Sequence, residues 1–145
     1  MKFQKLALLF LGLLLMIVVT RIKIVFLKSE SVSFRVCMQV YNLRPEKGDL
    51  CAFNFRGRRF VKYMVGVAGD EIRYVGKVIY VGTTKVGEAK KTDLLTPIPE
   101  GRIPESYVFV AGTHPDSLDS RYKEFGLVKE TDVRGKVFGL VKHKK

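Results

Sequence analysis

The stretch FVKYMVGVAGD, residues 60 to 70, is an apolar run that carries one lysine and ends in a Gly-Asp turn. At the two-residue period of a β-strand, Lys62 points to the same face as Phe60 and Met64. A lysine between two apolar neighbours either extends past them to water or has its amine buried away from water. The stretch therefore predicts a strand, and the role of Lys62 has to come from the rest of the chain.

Further strand patterns, punctuated by glycine, proline and aspartate, lie on both sides of this stretch. Turns are predicted at 56 to 58 and 68 to 70, and Gly76-Lys77 is a two-residue hairpin signal. Residues 83 to 106 have no apolar period and predict a loop. The predicted strands cover residues 50 to 55, 60 to 67, 71 to 75, 78 to 81, 107 to 111 and 136 to 141. The sequence predicts a mainly β, antiparallel domain over residues 29 to 145.

The N-terminal residues 1 to 28 differ in character from this domain. Leu6 to Val19 is an uncharged apolar run, with Lys2 and Lys5 before it and Arg21 after it. The run is shorter than the roughly 20 residues that span a bilayer, but an extension to Leu27 reaches that length. No small-residue cleavage site follows. Residues 6 to 27 are therefore predicted as an uncleaved transmembrane helix, with a short cytoplasmic N-terminus.

The chain is strongly basic, with 26 Lys and Arg against 14 Asp and Glu and a formal net charge of +12. This balance suits anionic lipid or nucleic acid. The basic residues are scattered in ones, twos and threes without regular aromatic interleaving, which argues against nucleic acid. The distribution is typical of a solvated basic surface, and membrane lipid is predicted as a partner of the N-terminal anchor.

Two cysteines and two histidines are the candidate metal ligands, and their spacing does not match a metal site. The residues are Cys37, Cys51, His114 and His143. No metal and no other cofactor is predicted. A disulfide between Cys37 and Cys51 and a pair of buried free thiols are both open alternatives, because sequence alone does not fix the geometry of a bridge.

Three segments carry the functional prediction: SVSFRVC at 31 to 37, the Lys62 strand with its Gly69-Asp70 turn, and SLDSRY at 117 to 122. In their order and approximate spacing they resemble the type I signal peptidases, membrane-anchored serine proteases with a Ser/Lys dyad. The small size and the repeated serines look like the conjugative-transfer, or TraF-type, branch. The first segment departs from the family pattern, because Phe34 stands for methionine and no proline follows where expected.

The resemblance implies a signal-peptidase-like antiparallel β fold and a role for each matched residue. Ser33 would be the nucleophile and Lys62 the general base. Ser31 would donate to the oxyanion, and Ser117 would orient the lysine amine. Asp119 and Arg121 would form a supporting ion pair, which a carboxylate and a guanidinium make well.

The chemistry of Lys62 agrees with this implied role. A free lysine, with a pKa of about 10.4, is neutral in only about one molecule in 2,500 at pH 7. Desolvation on an apolar face lowers such a pKa by up to about 3 to 5 units. A neutral amine beside a hydroxyl can then take its proton.

The resemblance implies a serine endopeptidase that removes signal peptides from exported precursors, with propilin of a conjugative transfer system as one implied substrate. Its catalytic domain is predicted on the periplasmic side of the bacterial inner membrane. Alternatives are a Cys37 thiol with His114, or a triad of Ser33, His114 and Asp119, which leaves Lys62 unexplained. A catalytically inactive anchored β-domain that binds anionic lipid or a secretion partner is the non-enzymatic alternative.

Overall fold

The computed structural model of the protein describes residues 2 to 90 and 92 to 143. Within them the chain forms a helix, α1, followed by strands β1 to β11 and one turn of 3-10 helix between β10 and β11. The bounds are α1 Lys2–Arg21, β1 Ile22–Phe26, β2 Phe34–Val40, β3 Leu50–Phe55, β4 Arg58–Gly66, β5 Glu71–Val75, β6 Val78–Val81, β7 Thr84–Glu88, β8 Gly101–Arg102, β9 Tyr107–Ala111, β10 Val128–Lys129, the 3-10 turn Glu130–Asp132 and β11 Val133–Lys142.

The strands form two antiparallel sheets. The larger sheet has the order β1-β2-β11-β3-β4-β9-β10, and the smaller has the order β7-β6-β5-β8. Strand β11 lies between β2 and β3 and pairs with both of them. The prediction of a mainly β, antiparallel domain is confirmed.

The hairpin of β3 and β4 places Lys62 in the larger sheet. Its two-residue turn has Arg56 and Gly57 at positive φ, 48° and 73°, the backbone conformation that matches the right-handed twist of the flanking strands. The resulting register sets Lys62 opposite Cys51. Because β3 is buried along most of its length, this pairing holds the lysine inside the domain.

Separate apolar cores cover the two faces of the larger sheet. Phe53 and Met64 belong to one core, and Leu50 and Val61 belong to the other. A third core lies between the two sheets, where Phe109 of β9 packs with residues of β5 and β6. The alternation of side chains along β3 and β4 is the one that a two-residue period predicts.

Cys37 and Cys51 are both free and buried. On β11, Cys37 lies opposite Gly139 and Cys51 lies opposite Lys136. Positions 136 and 139 are three residues apart, so their side chains point to opposite faces of the sheet. The two thiols therefore face different cores, and the structure has the two buried free thiols rather than the disulfide.

The predicted transmembrane helix over residues 6 to 27 is wrong over residues 22 to 26. These residues form β1, which pairs with β2 along its whole length. Ile22, Ile24 and Phe26 alternate with Lys23 and Val25, a period that is typical of a strand rather than a helix. Within the described residues, no helix has both the length and the apolar character needed to cross a membrane.

The predicted loop over residues 83 to 106 is also partly wrong, because it contains β7 and β8. Strand β7 pairs with β6, and β8 pairs with β5. Both are edge strands of the smaller sheet, and β7 has the sequence TKVGE with a single valine. Backbone pairing with an apolar neighbour holds these strands, so their own sequences carry no apolar period.

Candidate active site

A cleft of about 580 Å³ brings together three parts of the chain. They are the end of β1 with the segment that follows it, the first half of β4, and the segment 116 to 118. The walls are mainly apolar. Four of the polar side chains along them are hydroxyls or an amine that could take part in a reaction: Ser29, Ser31, Lys62 and Ser117. Two other cavities, of about 410 and 500 Å³, contain none of these four.

Lys62 is buried in this cleft, with 3% of its surface exposed. Its Nζ donates a hydrogen bond to Ser117 Oγ at 2.5 Å. Burial lowers the pKa of Lys62 to about 8, while Asp119 acts to raise it and Arg121 to lower it. At pH 7 about one Lys62 in ten is then neutral, far more than for a free lysine. The buried amine is chemically competent to act as a base.

The segment 117 to 122 is held by a buried ion pair. Arg121 Nε and Nη2 donate to the two carboxylate oxygens of Asp119 at 2.8 and 2.9 Å. Arg121 Nη2 also donates to the carbonyl oxygens of His114 and Ser117. Such a bidentate pair is both strong and geometrically specific. The predicted ion pair is present in the structure, and it fixes the backbone that carries Ser117.

Gly112 lets the serine segment approach this ion pair. Its N–H donates to Asp119 Oδ2 at 2.8 Å, and the next residue, Thr113, donates its N–H to the Ser31 carbonyl at 2.8 Å. A methyl group on Gly112 would overlap both the Ser31 carbonyl oxygen and Ser117 Oγ. Sequence reasoning missed this residue. Its only sequence signal is a glycine directly after the predicted strand 107 to 111.

The structure separates the predicted serines. Ser31 is half-buried and lines the cleft with Lys62 and Ser117. Its hydroxyl is hydrogen-bonded to the hydroxyl of Ser29, whose Oγ also accepts the Ser31 N–H at 3.1 Å. Ser33 is exposed, does not line the cleft, and its carbonyl accepts the His143 N–H. Val32, between the two serines, is 1% exposed and fixes the segment in a core.

The alternative catalytic groups are not assembled. His114 is exposed, and its Nδ1 accepts the N–H of Asp116, while both carboxylate oxygens of Asp119 are bonded to Arg121. Cys37 is buried in a core outside the cleft, and burial raises the pKa of its thiol. In the part of the chain that the structure describes, no three His, Cys, Asp or Glu side chains are grouped as a metal site.

Comparison with known proteins identifies the family of this chain. The profile of the family described as "Signal peptidase, peptidase S26" matches residues 1 to 141. The crystal structure of a signal peptidase I from Enterococcus faecalis V583 is similar, with 26% identity over 63% of this chain and 95% of that chain, at a TM-score of 0.46. No curated protein sequence matches the chain.

The chain therefore belongs to the signal peptidase family, peptidase S26. Membership defines it as a serine-type endopeptidase of the class that cleaves signal peptides from precursor proteins.

Proposed function

We propose that the protein cleaves signal peptides with a Ser/Lys dyad in which Ser31 is the nucleophile and Lys62 is the general base. The observation that carries this proposal is the cleft that holds half-buried Ser31 together with the buried Lys62 amine. This assignment moves the nucleophile two residues toward the N-terminus from the predicted Ser33. The oxyanion role predicted for Ser31 moves in the same way to Ser29, which is hydrogen-bonded to Ser31.

The proposed reaction has two steps with one base. The neutral Lys62 amine accepts the Ser31 hydroxyl proton as the oxygen attacks the scissile carbonyl carbon. The Ser29 hydroxyl donates to the oxyanion that forms, and Ser117 holds the amine in place through its 2.5 Å hydrogen bond. The ammonium then protonates the leaving amine. In the second step Lys62 takes a proton from water, which hydrolyses the acyl-enzyme and regenerates Ser31.

The test compares single changes at the two serines and the lysine. Ser31→Ala and Lys62→Met are each expected to abolish cleavage of a precursor, and the double variant should be no worse, because members of a catalytic unit are non-additive. Ser29→Ala should lower the rate by about 10² to 10³, the effect of losing one oxyanion donor. Ser33→Ala is the matched control and should keep most activity. Cleavage is followed by mass spectrometry on variants that are first shown to resist proteolysis.

Two outcomes would contradict the assignment. Loss of cleavage in Ser33→Ala with activity retained in Ser31→Ala would return the nucleophile to Ser33. Absence of cleavage by the wild-type protein would favour the alternative of a catalytically inactive β-domain that binds lipid or a secretion partner.

We also infer that the protein associates with membrane lipid and acts outside the cytoplasmic membrane. Apolar side chains of α1 are exposed, including Leu9 at 72%. The larger sheet also carries a row of apolar side chains, since register aligns Ile24 with Met38 and Phe138 across β1, β2 and β11. Exposed apolar surface of this extent is unusual for a protein that has no partner.

Vesicle flotation and protease accessibility test this inference separately. The wild-type protein should float with vesicles, and Ile24→Ser with Phe138→Ser should float less. In spheroplasts, external protease should degrade the β-domain. Failure to float, or a shielded β-domain, would contradict the inference without affecting the dyad.

The resemblance to the conjugative-transfer branch supports propilin as a substrate. A pilin precursor expressed in the same membrane with and without the protein should be shortened only when the protein is present, as measured by mass spectrometry. An unchanged pilin alongside a cleaved secretory precursor would favour a general role in protein export.

A further inference from the structure

The side chains that line the cleft carry an excess of positive charge. Besides Lys62, the charged residues that line it are Lys28, Arg59 and Asp116. Asp116 is already paired with Lys90 at 2.8 Å. Within the described chain, Lys28 and Arg59 have no acidic side chain within ion-pair distance. The cleft therefore presents two cations whose charge is not neutralised.

Arg59 contacts an aromatic side chain. Its Nη1 donates to the Tyr41 hydroxyl at 3.1 Å, and its guanidinium carbon lies 5.7 Å from the centroid of the Tyr41 ring. A guanidinium has five N–H donors, so the contact with Tyr41 leaves donors for a carboxylate. Because the contact with Tyr41 restrains the Arg59 side chain, a ligand that binds it avoids part of the entropic cost of ordering a long side chain.

The position of Arg59 relates it to the reacting bond. Arg59 and Lys62 lie three residues apart on β4, a separation of about 10 Å along a strand. Their side chains leave the strand on opposite faces, and both line the same cleft. A substrate side chain that contacts Arg59 is therefore within a few residues of the bond that is presented to Lys62.

We propose that Arg59, assisted by Lys28, is a specificity-determining residue that selects precursors with an aspartate or glutamate within a few residues of the cleaved bond. The inference rests on the proposed function. The apolar walls of the cleft, formed by residues such as Leu27, Val32 and Val61, accept the apolar part of the substrate. The unneutralised cations then favour one carboxylate beside it and disfavour a lysine or arginine at the same place.

The experiment uses the full chain and a series of precursor peptides. Each peptide carries one aspartate, or the uncharged isostere asparagine, at one of the four positions on either side of the cleaved bond. The ratio of kcat/KM for the aspartate and asparagine peptides is measured. For the wild-type protein, the expected ratio is about 5 to 10 at one position, decreasing at high salt, and about 1 at the distant positions.

Three variants locate the effect. Arg59→Gln should lower the ratio toward 1, and Arg59→Glu should invert the preference so that a lysine peptide is cleaved better than the aspartate peptide. Arg58→Gln is the matched control, because Arg58 is the exposed neighbour on the same strand and does not line the cleft. It should keep the wild-type ratio.

Each other result would overturn the inference. An equal loss in Arg58→Gln would assign the preference to the overall basic field rather than to Arg59. An unchanged ratio in Arg59→Gln, with weaker binding of that variant to vesicles containing anionic lipid, would mean that Arg59 binds lipid headgroups and does not select the substrate. A wild-type ratio of 1 at every position, while Ser31→Ala still abolishes cleavage, would remove the selectivity and leave the proposed function standing.

Discussion

The Lys62 amine lies among apolar side chains, with Ser117 as its hydrogen-bond partner. Water is largely excluded, so the charged form is disfavoured and the pKa is lowered to about 8. If the neutral amine is the base, kcat/KM should be low below pH 7, rise with pH through about 8 and level off above it. Single-turnover rates between pH 6 and 10 measure this limb. A rate that keeps rising toward a pKa of about 10.4, the value of a free lysine, would contradict the assignment of the buried neutral amine as the base.

The same pKa shift has a consequence for stability. The pKa of Lys62 is about 8 in the folded protein and about 10.4 in the unfolded chain, so between these values the unfolded chain binds more protons and stability rises with pH. Below pH 8 the full penalty of roughly 3 kcal/mol is present. Lys62→Met should remove it, offset by the roughly 1 kcal/mol of a lost hydrogen bond.

Urea unfolding of wild type and Lys62→Met at pH 7 and pH 10 measures the difference. The variant should be the more stable at pH 7, and its advantage should shrink toward pH 10. An advantage that does not change with pH would mean that proton binding by Lys62 is not its origin.

At the residue scale, the sequence predicted the amine and the residues that the structure brings together around it, but it predicted Ser33 as the nucleophile where we propose Ser31. Lys62, Ser117, Asp119 and Arg121 stand in spacings that few segments reproduce. Residues 29, 31 and 33 are all serines two apart, so two serine pairs fit the same pattern. Val32 is buried in a core with Leu50 and Val61 while Ser33 is exposed, and these packing partners are distant in sequence, so the local sequence does not encode the difference.

At the scale of elements, the end of β9 is the least tolerant point of the site. Gly112→Ala would place a methyl group against the Ser31 carbonyl and Ser117 Oγ, and the serine segment would have to move. Because displacements of about 1 Å cost about 10² in rate, we expect at least that loss of kcat/KM. Gly12→Ala in α1 is the control, since an added methyl group there meets nothing within 4 Å. Equal activity in both variants would contradict the tight approach.

The elements that the sequence predicted well are those with their own apolar period. Strands β5, β6 and β9 have the predicted bounds, and β4 and β11 differ by a few residues at their ends. Strand β1 was assigned to a helix because its apolar residues continue those of α1. Strands β7 and β8 are stabilised by pairing with a neighbour, and such pairing is decided by residues distant in sequence.

At the scale of the whole molecule, Phe109 joins the two sheets. It belongs to β9 of the larger sheet, is fully buried and packs in the core formed with Ile72 and Ile79 of the smaller sheet. Phe109→Ala should lower the free energy of unfolding by about 3 to 5 kcal/mol, the usual effect of truncating a buried aromatic. Leu94→Ala, at a position 83% exposed, should change it by less than about 0.5 kcal/mol. Denaturant unfolding of both variants measures this, and similar values would contradict the shared core.

The position of β11 in the larger sheet also sets a time at which the protein can act. The serine segment leads into β2, and Lys62 lies on β4; in the sheet the two halves are joined only through β11, residues 133 to 142. A chain still on the ribosome with those residues inside the exit tunnel holds the proposed nucleophile and base on separate parts of an open sheet. If Ser31 and Lys62 form the dyad, proteolytic activity is expected only after this strand has emerged and inserted, so the nascent chain would not cleave other precursors, or itself, while it is being made.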